Sequence, residues 1–153
     1  MKVTVKIKVD ARKAIRRMDD MEKRSKDFRM VLRWAKRELA KANSANFTAQ
    51  GLPVGGWSPL KPRYAAWKAR NFPGAPTLVR SGALFKSLSQ LDGPGNRINL
   101  KSATFGTTIE YAKFHQYGTS KMPKRKIVYE PKGFARSLGV IASRYVVHGK
   151  LTK

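Results

Sequence analysis

Residues 81–118 read SGALFKSLSQLDGPGNRINLKSATFGTTIEYAKFHQYG, and this stretch decides the fold class. Ser81 suits the cap of a short helix through Leu84 and Phe85. Residues 88–91, 97–101 and 103–109 then read as strands, with the cluster Asp92-Gly93-Pro94-Gly95-Asn96 as a turn, so an antiparallel meander is expected. Residues 111–117 suit one or two helical turns ended by Gly118, which can take the positive φ of a helix stop. Helices mixed with antiparallel strands predict an α+β fold.

Upstream, Val3, Val5, Ile7 and Val9 alternate with Lys2, Thr4, Lys6 and Lys8, the period of a strand over 2–9 with one buried face. Asp10 can cap a helix from Ala11, with Ile15, Met18 and Met21 at near-helical spacing. Ser25 can cap a second helix that turns Phe28, Val31, Leu32, Ala35, Leu39 and Ala42 inward and ends near Asn46. No Gly or Pro separates the two, so one long helix is the alternative. Residues 49–77 form a long loop rich in Gly and Pro, with a short helix over 64–70 started by Pro62 and with Trp57 and Trp67 as apolar anchors. Downstream, 126–129 reads as a strand, and Pro131 opens a C-terminal helix to about Val147. One domain spans 1–153: a strand and helix pair, a β-meander with short helices, and a C-terminal helix.

The chain has 33 Lys+Arg against 9 Asp+Glu, a net charge of +24. Self-repulsion of this size calls for anionic neighbours. The excess is spread along the chain, since residues 1–50 hold 15 basic and 6 acidic side chains and residues 51–153 hold 18 and 3. No cysteine is present, which removes disulfides, thiolate metal sites and a cysteine nucleophile. The start MKVTVKIKVD carries no apolar run of signal-peptide kind, and no stretch is long and apolar enough for a membrane span.

Catalytic constellations are scarce. After residue 50 the only acids are Asp92, Glu110 and Glu130, too few for a carboxylate pair. His115 and His148 lack the further ligands of a zinc site. The glycine clusters match neither a P-loop nor a dinucleotide fingerprint. Neither an enzyme nor a cofactor is expected. Lys121, Lys124, Arg125 and Lys126 form the densest basic cluster and suit contact with DNA or an acidic partner. Trp57, Leu60, Trp67, Phe114, His115 and Tyr117 are the candidate subunit-interface residues, because aromatic groups on loops and short turns suit interface anchors.

Five segments in order carry a family resemblance: Gly56-Trp57-Ser58-Pro59-Leu60; Leu78 to Leu84 with Ser87; Phe105-Gly106-Thr107; Tyr111-Ala112-Lys113-Phe114-His115-Gln116-Tyr117-Gly118; and Met122-Pro123-Lys124-Arg125. Together they resemble the tailed-phage virion morphogenesis family of tail-completion and head–tail joining proteins. The chain departs from that pattern after Met122-Pro123, where Lys124-Arg125-Lys126-Ile127 replaces an Arg-Pro-Phe type of segment. The resemblance implies a non-enzymatic subunit of a homo-oligomeric ring, with a hexamer favoured. It implies placement in the virion at the neck or head-proximal tail end after assembly in the host cytoplasm. The implied partners are further copies of the chain and neighbouring head–tail connector, tail terminator or tail-tube proteins, with no membrane; the net charge adds phage DNA in the lumen as a candidate partner. The rival readings are a basic nucleic-acid-binding protein and, more remotely, a ribonuclease toxin using His115.

Overall fold

The computed structural model describes residues 10–151, so the strand expected over 2–9 lies outside the described residues. The described chain is mainly helical: α1 (Arg12–Lys26), α2 (Arg29–Thr48), a 3-10 turn (Leu52–Val54), α3 (Pro62–Asn71), α4 (Ala83–Gln90), β1 (Arg97–Ile98), β2 (Ala103–Thr104), α5 (Ala112–Tyr117) and α6 (Phe134–His148). Helices with a small antiparallel sheet agree with the α+β expectation.

The two N-terminal helices are separate, and Asp27 divides them. Its backbone is extended at φ −137° and ψ 100°, and its carboxylate accepts the Arg29 backbone N–H at 3.0 Å and the Arg29 guanidinium. Ser25 is not the cap: it lies within α1, where its hydroxyl donates to the Glu22 carbonyl. Asp10 accepts the Arg12 N–H at 3.1 Å, so it does serve the start of α1, although Ala11 occupies the cap position.

The expected meander shrinks to a hairpin. Leu84, Leu88 and Leu91 are all buried, a spacing that follows the inner face of a helix, so residues 88–90 complete α4 instead of forming a strand. β1 and β2 pair Arg97 with Thr104 and Ile98 with Ala103. Residues 126–129 are also not a ladder strand, because side chains take the backbone groups that a neighbouring strand would otherwise meet. Gln116 Oε1 accepts the N–H groups of Ile127 at 2.9 Å and Val128 at 3.0 Å, and Gln116 Nε2 donates to the Val128 carbonyl. The Lys126 carbonyl accepts from both Asn46 Nδ2 at 3.0 Å and Trp57 Nε1 at 2.9 Å.

The core forms where the C-terminal end of α2 meets α4. Phe47, Leu84, Leu88, Ala112 and Ile127 make one buried cluster, with Trp57, Leu78, Val79, Phe85 and Ile109 around it. Asn43, buried on α2, ties the two helices by donating to the Leu88 carbonyl at 3.0 Å. At the other end of α2, α6 packs through Phe28 against Tyr145 and Trp34 stacked on Phe134. α1 lies against α6 and buries no residue completely.

Candidate functional site

The 49–77 segment is more structured than a loop. Gln50 and Gly51 reverse the chain at positive φ, the 3-10 turn follows, and Pro62 starts α3 as expected. Trp57 returns from this turn to meet Phe47 edge-on at 5.2 Å. Only glycine fits at position 51, because a Cβ there would lie 2.2 Å from the Trp57 ring. The Trp57 ring and N–H are therefore engaged within its own chain.

Between α3, the start of α4, α5 and the 121–125 turn lies an open cleft of about 520 Å³. Leu60, Leu78, Leu84 and Met122 supply aliphatic surface, and Tyr64, Tyr111 and Phe114 supply aromatic surface. Among the described residues five cationic side chains, Lys61, Lys68, Arg80, Lys121 and Arg125, line it, and no carboxylate does. The resemblance segments containing Leu60, Leu78–Leu84, Tyr111–His115 and Met122–Arg125 thus converge on one concavity although they are spread over more than sixty residues.

Two of the cations are structural. Arg125 is 4% exposed and donates Nε to the Ser58 carbonyl and Nη2 to the Pro59 carbonyl, both at 2.8 Å. Burial pushes its pKa down, yet a guanidinium stays charged in a protein. Lys68 is 5% exposed, donates to the Pro76 carbonyl, and has its pKa lowered by burial. His115 has its pKa held below the ordinary histidine value by burial and by the nearby Arg125 charge. Its Nδ1 is buried without a hydrogen-bond partner among the described residues, and its carbonyl accepts the Arg125 N–H.

The cleft unites Leu60, Phe114, His115, Lys121 and Arg125 from the sequence-predicted sets, and leaves Trp57, Trp67, Tyr117, Lys124 and Lys126 outside. Trp67 is 43% exposed and stacks on Tyr64 at 5.5 Å, while Tyr117 is the most exposed aromatic at 78%. The basic cluster divides: Lys121, Lys124 and Lys126 point to solvent, whereas Arg125 turns inward because the 58–59 carbonyls need donors there. Sequence reasoning missed Asn46 and Gln116. A usable signal existed for the first, since Asn43, Asn46 and Phe47 continue the inward face of α2 from Leu39 at helical spacing.

The sequence profile of the phage virion morphogenesis family matches residues 9–146. The chain belongs to the phage virion morphogenesis family. Searches of curated proteins and of solved structures return no match. Membership in the virion morphogenesis family gives the chain a phage structural and assembly role and associates it with the virion. Among the described residues no helix is long and apolar enough to cross a membrane, and no cluster of His, Cys, Asp and Glu has the composition of a metal site.

Proposed function

We propose that the protein is a tail-completion or head–tail joining subunit that works as one member of a homo-oligomeric ring in a tailed phage. The family match over residues 9–146 carries this reading. Support comes from a surface unsuited to a lone subunit: Tyr64, Trp67, Tyr111, Phe114 and Tyr117 are all exposed around the cleft mouth and α5. Aromatic groups clustered this way suit burial against another protein. The ring would sit at the neck or head-proximal end of the tail, a hexamer is the favoured count, and connector, terminator or tail-tube proteins would adjoin it. No catalytic step is assigned to it.

Native mass spectrometry and light scattering of the purified chain, with immunogold labelling of virions, test this. A closed oligomer and label at the neck or tail end are expected; a chain that stays monomeric at every concentration and is missing from virions would refute it. A second reading has its own observation, the net charge of +24. Lys121, Lys124 and Lys126 would contact DNA in the lumen through phosphates, with affinity falling steeply as salt rises. Replacing the three with Ser and measuring ring formation and DNA retention separately distinguishes a DNA contact from an assembly contact. RNA cleavage lost on His115→Ala would instead favour the ribonuclease reading.

A further inference from the structure

The cleft holds positive charge that its own chain leaves unmatched among the described residues. Arg125 and Lys68 are committed to backbone carbonyls, and the remaining cations, Lys61, Arg80 and Lys121, are all exposed. The ion pairs among the described residues lie elsewhere and include none of the three. The start of α4 faces the same space through Ser81 to Leu84 and has no acidic residue in its first turn, so the positive end of that helix adds to the charge. Between the cations lies apolar surface. Tyr64, Tyr111 and Phe114 are exposed there beside the aliphatic side chains of Leu60, Leu78 and Met122.

A ligand that answers both features carries negative charge next to apolar bulk. A second copy of the chain does not, because its net charge is +24, and residues 1–9 hold three lysines and no acid. Duplex DNA is stiff and presents its phosphates outermost, so it has no apolar group to lower into a concavity. A single strand would need open ring faces for its bases. Here the rings already have partners: Tyr64 stacks on Trp67 at 5.5 Å, Tyr111 meets His115 edge-on at 6.1 Å, and Lys113 Nζ lies 5.2 Å from the Phe114 ring centroid. Side chains of a peptide pack against ring edges and aliphatic groups as readily as against faces. A volume of about 520 Å³ falls among sites that enclose small ligands, so it takes a few side chains of a projecting segment.

We infer that the cleft receives an acidic segment of a different protein. An apolar side chain of that segment inserts among Tyr64, Phe114 and Met122, while carboxylates flanking it face Lys61, Arg80 and Lys121. Placing the donor of the segment in the virion rests on the assembly reading above; the chemical preference of the cleft does not. The exposed charges steer the segment in, and the buried apolar anchor holds it.

The test selects peptides from a random dodecapeptide display library on the immobilised full-length chain. The selected peptides are then measured on three variants: Lys61→Glu with Lys121→Glu, Lys13→Glu with Lys23→Glu, and Phe114→Ser. Lys13 and Lys23 are exposed on α1 and do not line the cleft, so their reversal changes net charge equally without touching it. Circular dichroism melts check that every variant folds. The selected peptides should combine Asp or Glu with Leu, Met or aromatic residues. In fluorescence anisotropy near physiological salt, they should bind the α1 variant within about twofold of the unaltered chain and the cleft variant about tenfold more weakly. Phe114→Ser should weaken them by a similar factor at unchanged net charge. Selected peptides that lack acids or apolar residues overturn the inference, and so does equal weakening by the two charge reversals, which would mean that bulk charge alone is read. Labelled oligo-dT that displaces the peptides and loses affinity only in the cleft variant would assign the cleft to nucleic acid and also overturn it. In virions, the photo-crosslinker benzoylphenylalanine in place of Tyr64 should capture an acidic segment of another protein. Capture of a second copy of this chain overturns the inference and supports the ring. Virions without the chain remove the assembly reading, and the peptide measurements then decide the cleft by themselves.

Discussion

Replacing Gly118 with Ala examines the turn between α5 and the 121–125 segment more sharply than any other single change. Gly118 has φ +76° and ψ 177°, a region of backbone space open essentially to glycine alone, and occupying it with another residue costs on the order of 1–3 kcal/mol. A Cβ there would also lie 2.9 Å from Lys124 N and 3.1 Å from Met122 O. Both are backbone atoms, and the Met122 carbonyl is held by the paired bonds of Thr119 and Met122, so relief requires shifting the turn and adds roughly 1–2 kcal/mol. Gly118→Ala should therefore cost about 3 kcal/mol, a fall in Tm of roughly 6–12 °C for a chain of this size. Gly133 provides the control. It has φ +78° and ψ 3°, with nothing within 4 Å of a built Cβ, so Gly133→Ala should cost only the left-handed strain of about 1 kcal/mol. Urea and thermal unfolding followed by circular dichroism measure both. Costs that agree within about 0.5 kcal/mol would refute the argument that the close backbone approach at Gly118 matters.

Leu88→Ala should lower stability by about 3 kcal/mol in urea unfolding, because Leu88 is fully buried between α2 and α4 and its loss leaves a cavity. Gln116→Ala removes three hydrogen bonds to the 127–128 backbone; a cost of about 1–2 kcal/mol is expected, with faster amide exchange at Ile127 than at Leu88. The lowered pKa of His115 means that the unfolded chain takes up a proton more readily than the folded one. Stability should be complete above pH 6.5 and fall as pH drops below it, and His115→Gln should flatten that slope between pH 7 and 5.

What the sequence made legible followed its periodicities and punctuation. Pro62, Gly118 and Pro131 marked α3, the end of α5 and the approach to α6, because proline and glycine act through local sterics alone. The errors arose where tertiary partners decide. Leu88-Ser89-Gln90-Leu91 is too short to show a period when taken alone, and only its continuation from Leu84 reveals the helical face. Residues 126–129 have strand composition but no strand beside them among the described residues, and sequence could not show that Asn46, Trp57 and Gln116 would bond to this backbone. The cleft was half visible. Its motif segments were found, but their convergence depends on the path of a backbone pinned by Arg125, whose charge pointed to an external partner.

That substitution of side chains for a ladder changes how the region tolerates mutation. A β-ladder is drawn from the main chain and survives most exchanges of side chain, so a strand within a sheet can drift while its pairing endures. The 126–129 segment has less insurance: its bonds come from identifiable side chains, and a single codon change at Gln116 removes three of them at once, while the Lys126 carbonyl keeps one donor if either Asn46 or Trp57 is lost. The two halves of the chain are thereby coupled at the level of inheritance, since residues 46 and 57 can both change freely only if the path of residues 126–128 changes with them.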